Sequence, residues 1–198
     1  MTDRDMENDK IIELPGTEAL EQELNRVKYN RRYGRVIRNI IYMLITVAAI
    51  AILVATLWLP VLRIYGSSMT PNLKEGDIVI SAKGSEIKQG DVIAFYYNNK
   101  ILVKRAIAFQ GDWIDIDRSG QVYINQKSLG EPYLNEKALG NTDIELPYQV
   151  PDGKVFVMGD HRATSLDSRN TSIGCVSEEQ IVGQILFKIW PIKDLGKI

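Results

Sequence analysis

The sequence holds one cysteine, Cys175, and one histidine, His161, in 198 residues. A lone thiol excludes an intramolecular disulfide and any zinc site built from paired thiolates, so the fold must be held by packing. With a single imidazole, any Ser-His-Asp chemistry would have to run through His161 and no other residue. An excess of positive charge is also missing. Lys and Arg number 24 against 25 Asp and Glu, and within residues 63–198 they number 16 against 17. Nucleic acid is therefore not an expected partner, since no basic face is available to neutralise phosphates. No metal or cofactor site is indicated, and no internal repeat or low-complexity tract is present.

One long hydrophobic run stands out. From Ile40 to Leu62 no side chain is charged, and as a helix these residues would rise about 34 Å, slightly more than a bilayer's hydrocarbon core. Arg26, Lys28, Arg31, Arg32, Arg35 and Arg38 precede it, whereas Arg63 and Lys74 are the only cations in the dozen residues that follow. The positive-inside rule then places the N-terminus in the cytoplasm and the remainder outside. A cleavable secretory signal fits less well: the run exceeds the usual apolar length and no good small-residue cleavage site follows. A buried core helix would show polar interruptions. The expected organisation is a cytoplasmic segment 1–38, disordered or loosely helical, a transmembrane helix 39–62, and an outer domain 63–198 large enough for one core.

The outer domain reads as mainly β. "GDIVISA", "GDVIAFYYN", "ILVKRAIAF", "WIDID", "QVYIN", "KVFVMGD" and "QILFKIW" are short runs rich in β-branched and aromatic residues. The separators "NNK", "DRSG" and "PDG" predict hairpins and a largely antiparallel sheet. The stretch "NEKALGNTDIELP" shows no period and is expected to be a loop or a small inserted lobe.

Two segments contain groups suited to chemistry. Within "ILVKRAIAF", alternation puts Leu102, Lys104, Ala106 and Ala108 on one face and Val103, Arg105 and Ile107 on the other, so one of the two cations faces inward. Arginine stays protonated, but a lysine packed among small apolar groups loses solvation in its charged form, which makes Lys104 a candidate base. The same pattern also fits a lysine whose stem packs while its ammonium reaches water. "GSSMTP" offers two serines, and a turn is its ordinary reading.

Taken together, "GSSMTPNLKEGDIVI", "ILVKRAIAF" and "MGDHRATSLDSR" resemble, in order and rough spacing, the type I signal peptidases of bacteria, and the small size with one anchor resembles their Gram-positive form. The resemblance covers the anchor and most of the outer domain, and it implies an antiparallel β catalytic domain of signal-peptidase type. It implies that Ser68, which precedes the methionine of SMxP, is the nucleophile, with Ser67 a neighbour, and that Lys104 is the general base. It further implies that Ser165 hydrogen-bonds the lysine amine and that Asp160, Arg162, Asp167, Ser168 and Arg169 brace the loop beneath. Ile64, Tyr65, Met69, Leu102 and Val103 would line the substrate surface. Many relatives carry Ser or Thr where this chain has Gly66, which leaves the Ser68 N–H as the main oxyanion donor. His161, Ala163 and Thr164 also depart from the Asn, Asp and Asn of some relatives, and a structural or exposed role is expected for His161.

The implied activity is removal of signal peptides from exported preproteins by acyl transfer through a Ser-Lys dyad, without a cofactor. Small residues at −1 and −3 of the substrate would enter shallow pockets together, because alternate side chains of an extended peptide point the same way. Signal peptides, the lipid bilayer and the secretion translocon are the expected partners, at the plasma membrane. Self-cleaving SOS repressors share such a dyad, but they would carry a DNA-binding helix-turn-helix in place of residues 40–62. A specialised or inactive relative serving pilus or surface-protein assembly is the alternative.

Overall fold

The computed structural model describes residues 16–198; residues 1–15 of the predicted cytoplasmic segment lie outside the described residues. Helix α1 runs from Thr17 to Trp58 without a break. Arg26, Lys28, Arg32, Arg35 and Arg38 therefore sit on the same helix as the apolar run, so that of the two expected forms, disordered or loosely helical, residues 17–38 take the helical one. The helix is long and apolar enough to cross a membrane.

The outer end of the predicted span is also corrected. Leu59 N–H makes the last helical hydrogen bond, to the Ala55 carbonyl. Pro60 then supplies no N–H and disfavours helical backbone at the residue before it. Val61–Arg63 instead forms β1, so the uncharged helical stretch is residues 40–58, about 28 Å at 1.5 Å per residue.

Beyond β1 lie β2 (Ile78–Ala82), β3 (Val92–Tyr97), β4 (Lys100–Phe109), β5 (Trp113–Ile116), β6 (Val122–Ile124), β7 (Lys127–Ser128), β8 (Tyr148–Gln149), β9 (Lys154–Met158), β10 (Val176–Ser177), β11 (Ile181–Trp190) and β12 (Gly196–Lys197). The larger sheet has the order β1-β2-β11-β3-β4-β9-β10, with β12 paired to β11; a smaller one has the order β7-β6-β5-β8. Every pairing is antiparallel. All seven predicted strands form. "NNK" and "DRSG" close the β3–β4 and β5–β6 hairpins, whereas "PDG" carries the chain from β8 in the small sheet to β9 in the large one. Residues 129–147, which include the aperiodic stretch "NEKALGNTDIELP", hold no strand or helix.

The runs that resisted strict alternation are those buried on both faces. In β3, Val92 and Ala94 pack with Met69, Leu73 and Ile185, while Ile93 and Phe95 pack with Ala106 and Val157 on the other side. In β4 the expected alternation fails at one point: a register shift lies between Ala106 and Ala108. As a result Ile107 and Ala108 both join the core beneath the small sheet, with Ile114, Val122 and Phe156. A bulge of this kind re-aims the side chains that follow it.

Candidate active site

The turn after β1 separates the two serines. Ser67 is exposed and Ser68 half-buried. Met69 and Leu73, 2% and 0% exposed, root the turn in the core. Ser68 and Lys104 line one cleft of about 730 Å³, together with Ile64, Tyr65, Gly66, Met69, Leu102 and Val103. Ser67 is not among its lining residues. Ile64 and Met69 belong equally to the packed core, while Tyr65 is 74% exposed. Gly66, at φ +79°, occupies backbone space that side-chain-bearing residues rarely adopt. The Ser68 N–H has no backbone acceptor among the described residues.

Lys104 is 4% exposed and donates to Ser165 Oγ at 2.9 Å. Burial is the largest influence on its amine. Asp167 opposes that influence, the Arg169 guanidinium reinforces it and Asp160 opposes it more weakly; the net effect lowers the lysine from 10.5 to about 8. The single inward cation predicted from alternation is corrected here, because Arg105 is buried as well, at 6% exposure. Arg105 avoids being an unpaired charge by donating to both carboxylate oxygens of Asp160, at 2.8 and 2.6 Å, and by lying 4.0 Å over the Tyr133 ring.

The segment from Gly159 to Arg169 forms the floor. Asp167 accepts the Gly159 N–H at 2.9 Å and a two-point contact from Arg169, also at 2.9 Å. Burial alone would raise the Asp167 carboxyl, yet Arg169 and these hydrogen bonds hold it below the ordinary carboxylate range. Arg169 also donates to the Leu139 carbonyl at 2.6 Å, tying the floor to the 129–147 loop. Ser168 bridges the Val157 N–H and the Gly174 carbonyl at 2.9 and 2.8 Å. Arg162 pairs with Glu131, both fully buried at the side chain. Asp160, Arg162, Ser165, Asp167, Ser168 and Arg169 are thus gathered into one buried network.

Three contributors were not found from sequence. Glu131 and Tyr133 lie in the segment just before the aperiodic stretch, where nothing marked them as partners for distant arginines. Burial and the neighbouring Glu131 push the Tyr133 phenol above its ordinary value. Gly159 was visible only as part of a signature. A Cβ there would stand 2.1 Å from Ser165 Oγ and 2.6 Å from the Ser68 carbonyl oxygen, so the serine beside Lys104 and the backbone of Ser68 converge on this glycine. His161 contributes through its backbone, its N–H donating to the Ser68 carbonyl at 3.0 Å. Its exposed ring meets only Thr164 Oγ1 among side chains of the described residues.

Comparison with known proteins places the chain among its relatives. The model of the family described as "Signal peptidase, peptidase S26" matches residues 37–190. Signal peptidase I U of Bacillus subtilis is 35% identical over 174 residues, covering 81% of this chain and 92% of that protein. The chloroplastic thylakoidal processing peptidase 1 of Arabidopsis thaliana is 32% identical over 142 residues; the match spans 63% of this chain but 40% of that longer protein. A crystal structure of a signal peptidase I from Enterococcus faecalis aligns over 50% of this chain and 97% of its own at 28% identity, with a TM-score of 0.41. On the extent of the family match and the identity to the bacillar enzyme, the chain belongs to the signal peptidase family, peptidase S26, and so to the peptide-bond hydrolases.

Proposed function

We propose that this chain is a membrane-anchored signal peptidase I in which Ser68 is the nucleophile and Lys104 the general base. The observation that carries this reading is a buried lysine amine, lowered to about 8, opening onto the same cleft as Ser68. Neutral Lys104 takes the proton from Ser68 Oγ as the oxygen attacks the scissile carbonyl. The resulting ammonium gives that proton to the departing amine as the C–N bond breaks, leaving an ester on Ser68. Lys104 then takes a proton from water, whose oxygen attacks the ester, and returns it to Ser68 Oγ. The Ser68 N–H, which has no backbone acceptor among the described residues, is the oxyanion donor, and Gly66 provides the backbone turn before it. Ser165 holds the lysine Nζ through their hydrogen bond.

The substrate is the C-terminal part of a signal peptide, added as a strand. Support comes from the topology: β3 covers one edge of β4 along Lys100–Arg105, but β9 pairs with its other edge only from Arg105 onward. The outer edge of residues 100–104 therefore has no strand partner among the described residues, and all five line the cleft. Ile64 and Met69 are locked in the core and cannot retreat, which favours small side chains at −1 and −3. Leu102, Val103 and Tyr65 complete the wall. The helix anchors the enzyme, with residues 63–198 on the extracytoplasmic side, where a signal peptide's cleavage site emerges.

Cleavage of a preprotein bearing an Ala-X-Ala site tests the reading. Ser68→Ala and Lys104→Ala should each lower turnover by about a thousandfold or more, and near-normal turnover in either removes the dyad. A C-terminal tag that resists external protease in intact protoplasts removes the orientation.

A further inference from the structure

Asn72 lies four residues after Ser68, on the same turn, and none of the reacting groups includes it. Its side-chain amide donates to Asp160 Oδ2 at 2.7 Å and to the Tyr133 carbonyl at 2.9 Å. Its own carbonyl accepts the Lys188 ammonium at 2.8 Å, and Lys188 is in turn paired with Asp77 at 2.7 Å. Asp160, 3% exposed, is the carboxylate already gripped by Arg105, the residue after Lys104. It also lies next to Gly159, on which Ser165 and the Ser68 carbonyl converge. The segments bearing Ser68, Lys104 and Ser165 are thus joined at one buried carboxylate, and among the described residues the Asn72 amide is the hydrogen bond that links the serine's segment to it.

The turn between Ser68 and Asn72 can transmit that restraint. Thr70 N–H and Thr70 Oγ1 both donate to the Ser67 carbonyl, at 3.1 and 2.8 Å, and Leu73 N–H donates to the Met69 carbonyl at 2.9 Å. Residues 67–73 therefore move as a unit. At its front this unit is tied to the floor by the bond between Ser68 and the His161 N–H, and at its rear by Asn72. Met69, Leu73 and the Lys188 bond hold this unit against the core, and the Asn72 amide ties its rear to the carboxylate that grips Arg105.

We propose that Asn72 is a positioning residue that, through its amide bridge to Asp160 and Tyr133, sets the attack position of Ser68 relative to Lys104. The proposal rests on the Ser68–Lys104 reading. A side chain that held only the fold would affect how much protein is folded. A positioning side chain affects the turnover of protein that is folded, because a misplacement of about 1 Å costs up to about 100-fold in rate.

The full-length chain in detergent, carrying Asn72→Ala or Asn72→Asp, is assayed for kcat and KM on an Ala-X-Ala peptide, with rates normalised to folded protein by near-UV circular dichroism. Alanine removes the donor, and aspartate keeps the shape but turns an acceptor toward Asp160. The expected result is a kcat lowered about 10- to 100-fold, a KM within about twofold of wild type, and an unchanged midpoint in the pH profile. A kcat within about threefold of wild type per folded molecule in either variant overturns the proposal, as does a rise in KM alone. Should neither variant fold, the role is structural and the proposal is wrong. Ser68→Ala and Lys104→Ala run in parallel. Activity in either points to failure of the dyad, whereas silence in both beside a fully active Asn72→Ala points to failure of this proposal alone.

Discussion

Raising the pH is the perturbation that bears most directly on Lys104. Burial and Arg169 lower its amine from 10.5 to about 8 against the pull of Asp167 and Asp160, a shift worth about 3 kcal/mol between the charged and neutral forms. About 9% of such a lysine is neutral at pH 7 and about 91% at pH 9, so a rate carried by the neutral amine rises about tenfold over that interval and then levels. A lysine keeping its ordinary basicity would give a rise of about 100-fold without a plateau. The assay is kcat/KM for an Ala-X-Ala peptide from about pH 6 to about pH 10 with the full chain in detergent. Stability should follow the same group. Its folded value lies below its unfolded one, so between about pH 8 and 10.5 the unfolded chain still holds a proton that the native state has released. Stability contributed by Lys104 therefore rises with pH across that window by up to about 3 kcal/mol and is flat below it. Lys104→Met removes the rise, and its stability advantage over wild type, largest below pH 8, should shrink by about that amount as the pH climbs. A rate that keeps climbing past pH 10, or a wild-type-minus-Met difference that does not change with pH, would refute the buried neutral amine.

Two further substitutions probe the floor. Gly159→Ala places a methyl group against Ser165 Cβ and the Ser68 carbonyl oxygen, both 2.6 Å away. Neither can yield cheaply, so a loss of stability of about 1–3 kcal/mol by thermal melting and a loss of activity larger than the melt explains are expected; an active variant would mean that the loop shifts freely. His161→Ala leaves the backbone bond to Ser68 intact, and activity should stay within about threefold of wild type. A loss as deep as that of Ser68→Ala would put the imidazole back into the chemistry.

Much of the architecture was legible because it depends on local pattern. Seven strands were marked by β-branched runs between turn residues, and the apolar run marked a helix. Its outer end was misplaced, since composition continues through Leu62 while Pro60 has already ended the hydrogen-bond ladder. Lys104 and Arg105 show the limit of alternation: the sequence pattern allows one buried cation, whereas the fold buries two, because Asp160 arrives 55 residues later with both oxygens free to accept Arg105. Ser67 and Ser68 could be told apart by resemblance alone until burial separated them.

By itself the order of residues determined the strands and the membrane-length helix, and it limited imidazole chemistry to His161 and thiol chemistry to Cys175, since each of these rests on composition or on spacing within a few residues. Tertiary structure decided which charges meet and what surrounds them. Glu131 beside Arg162, Tyr133 under Arg105, and Asn72 against Asp160 are contacts across 28 to 88 positions, and the basicity of Lys104 is a property of its burial, which no stretch of sequence contains.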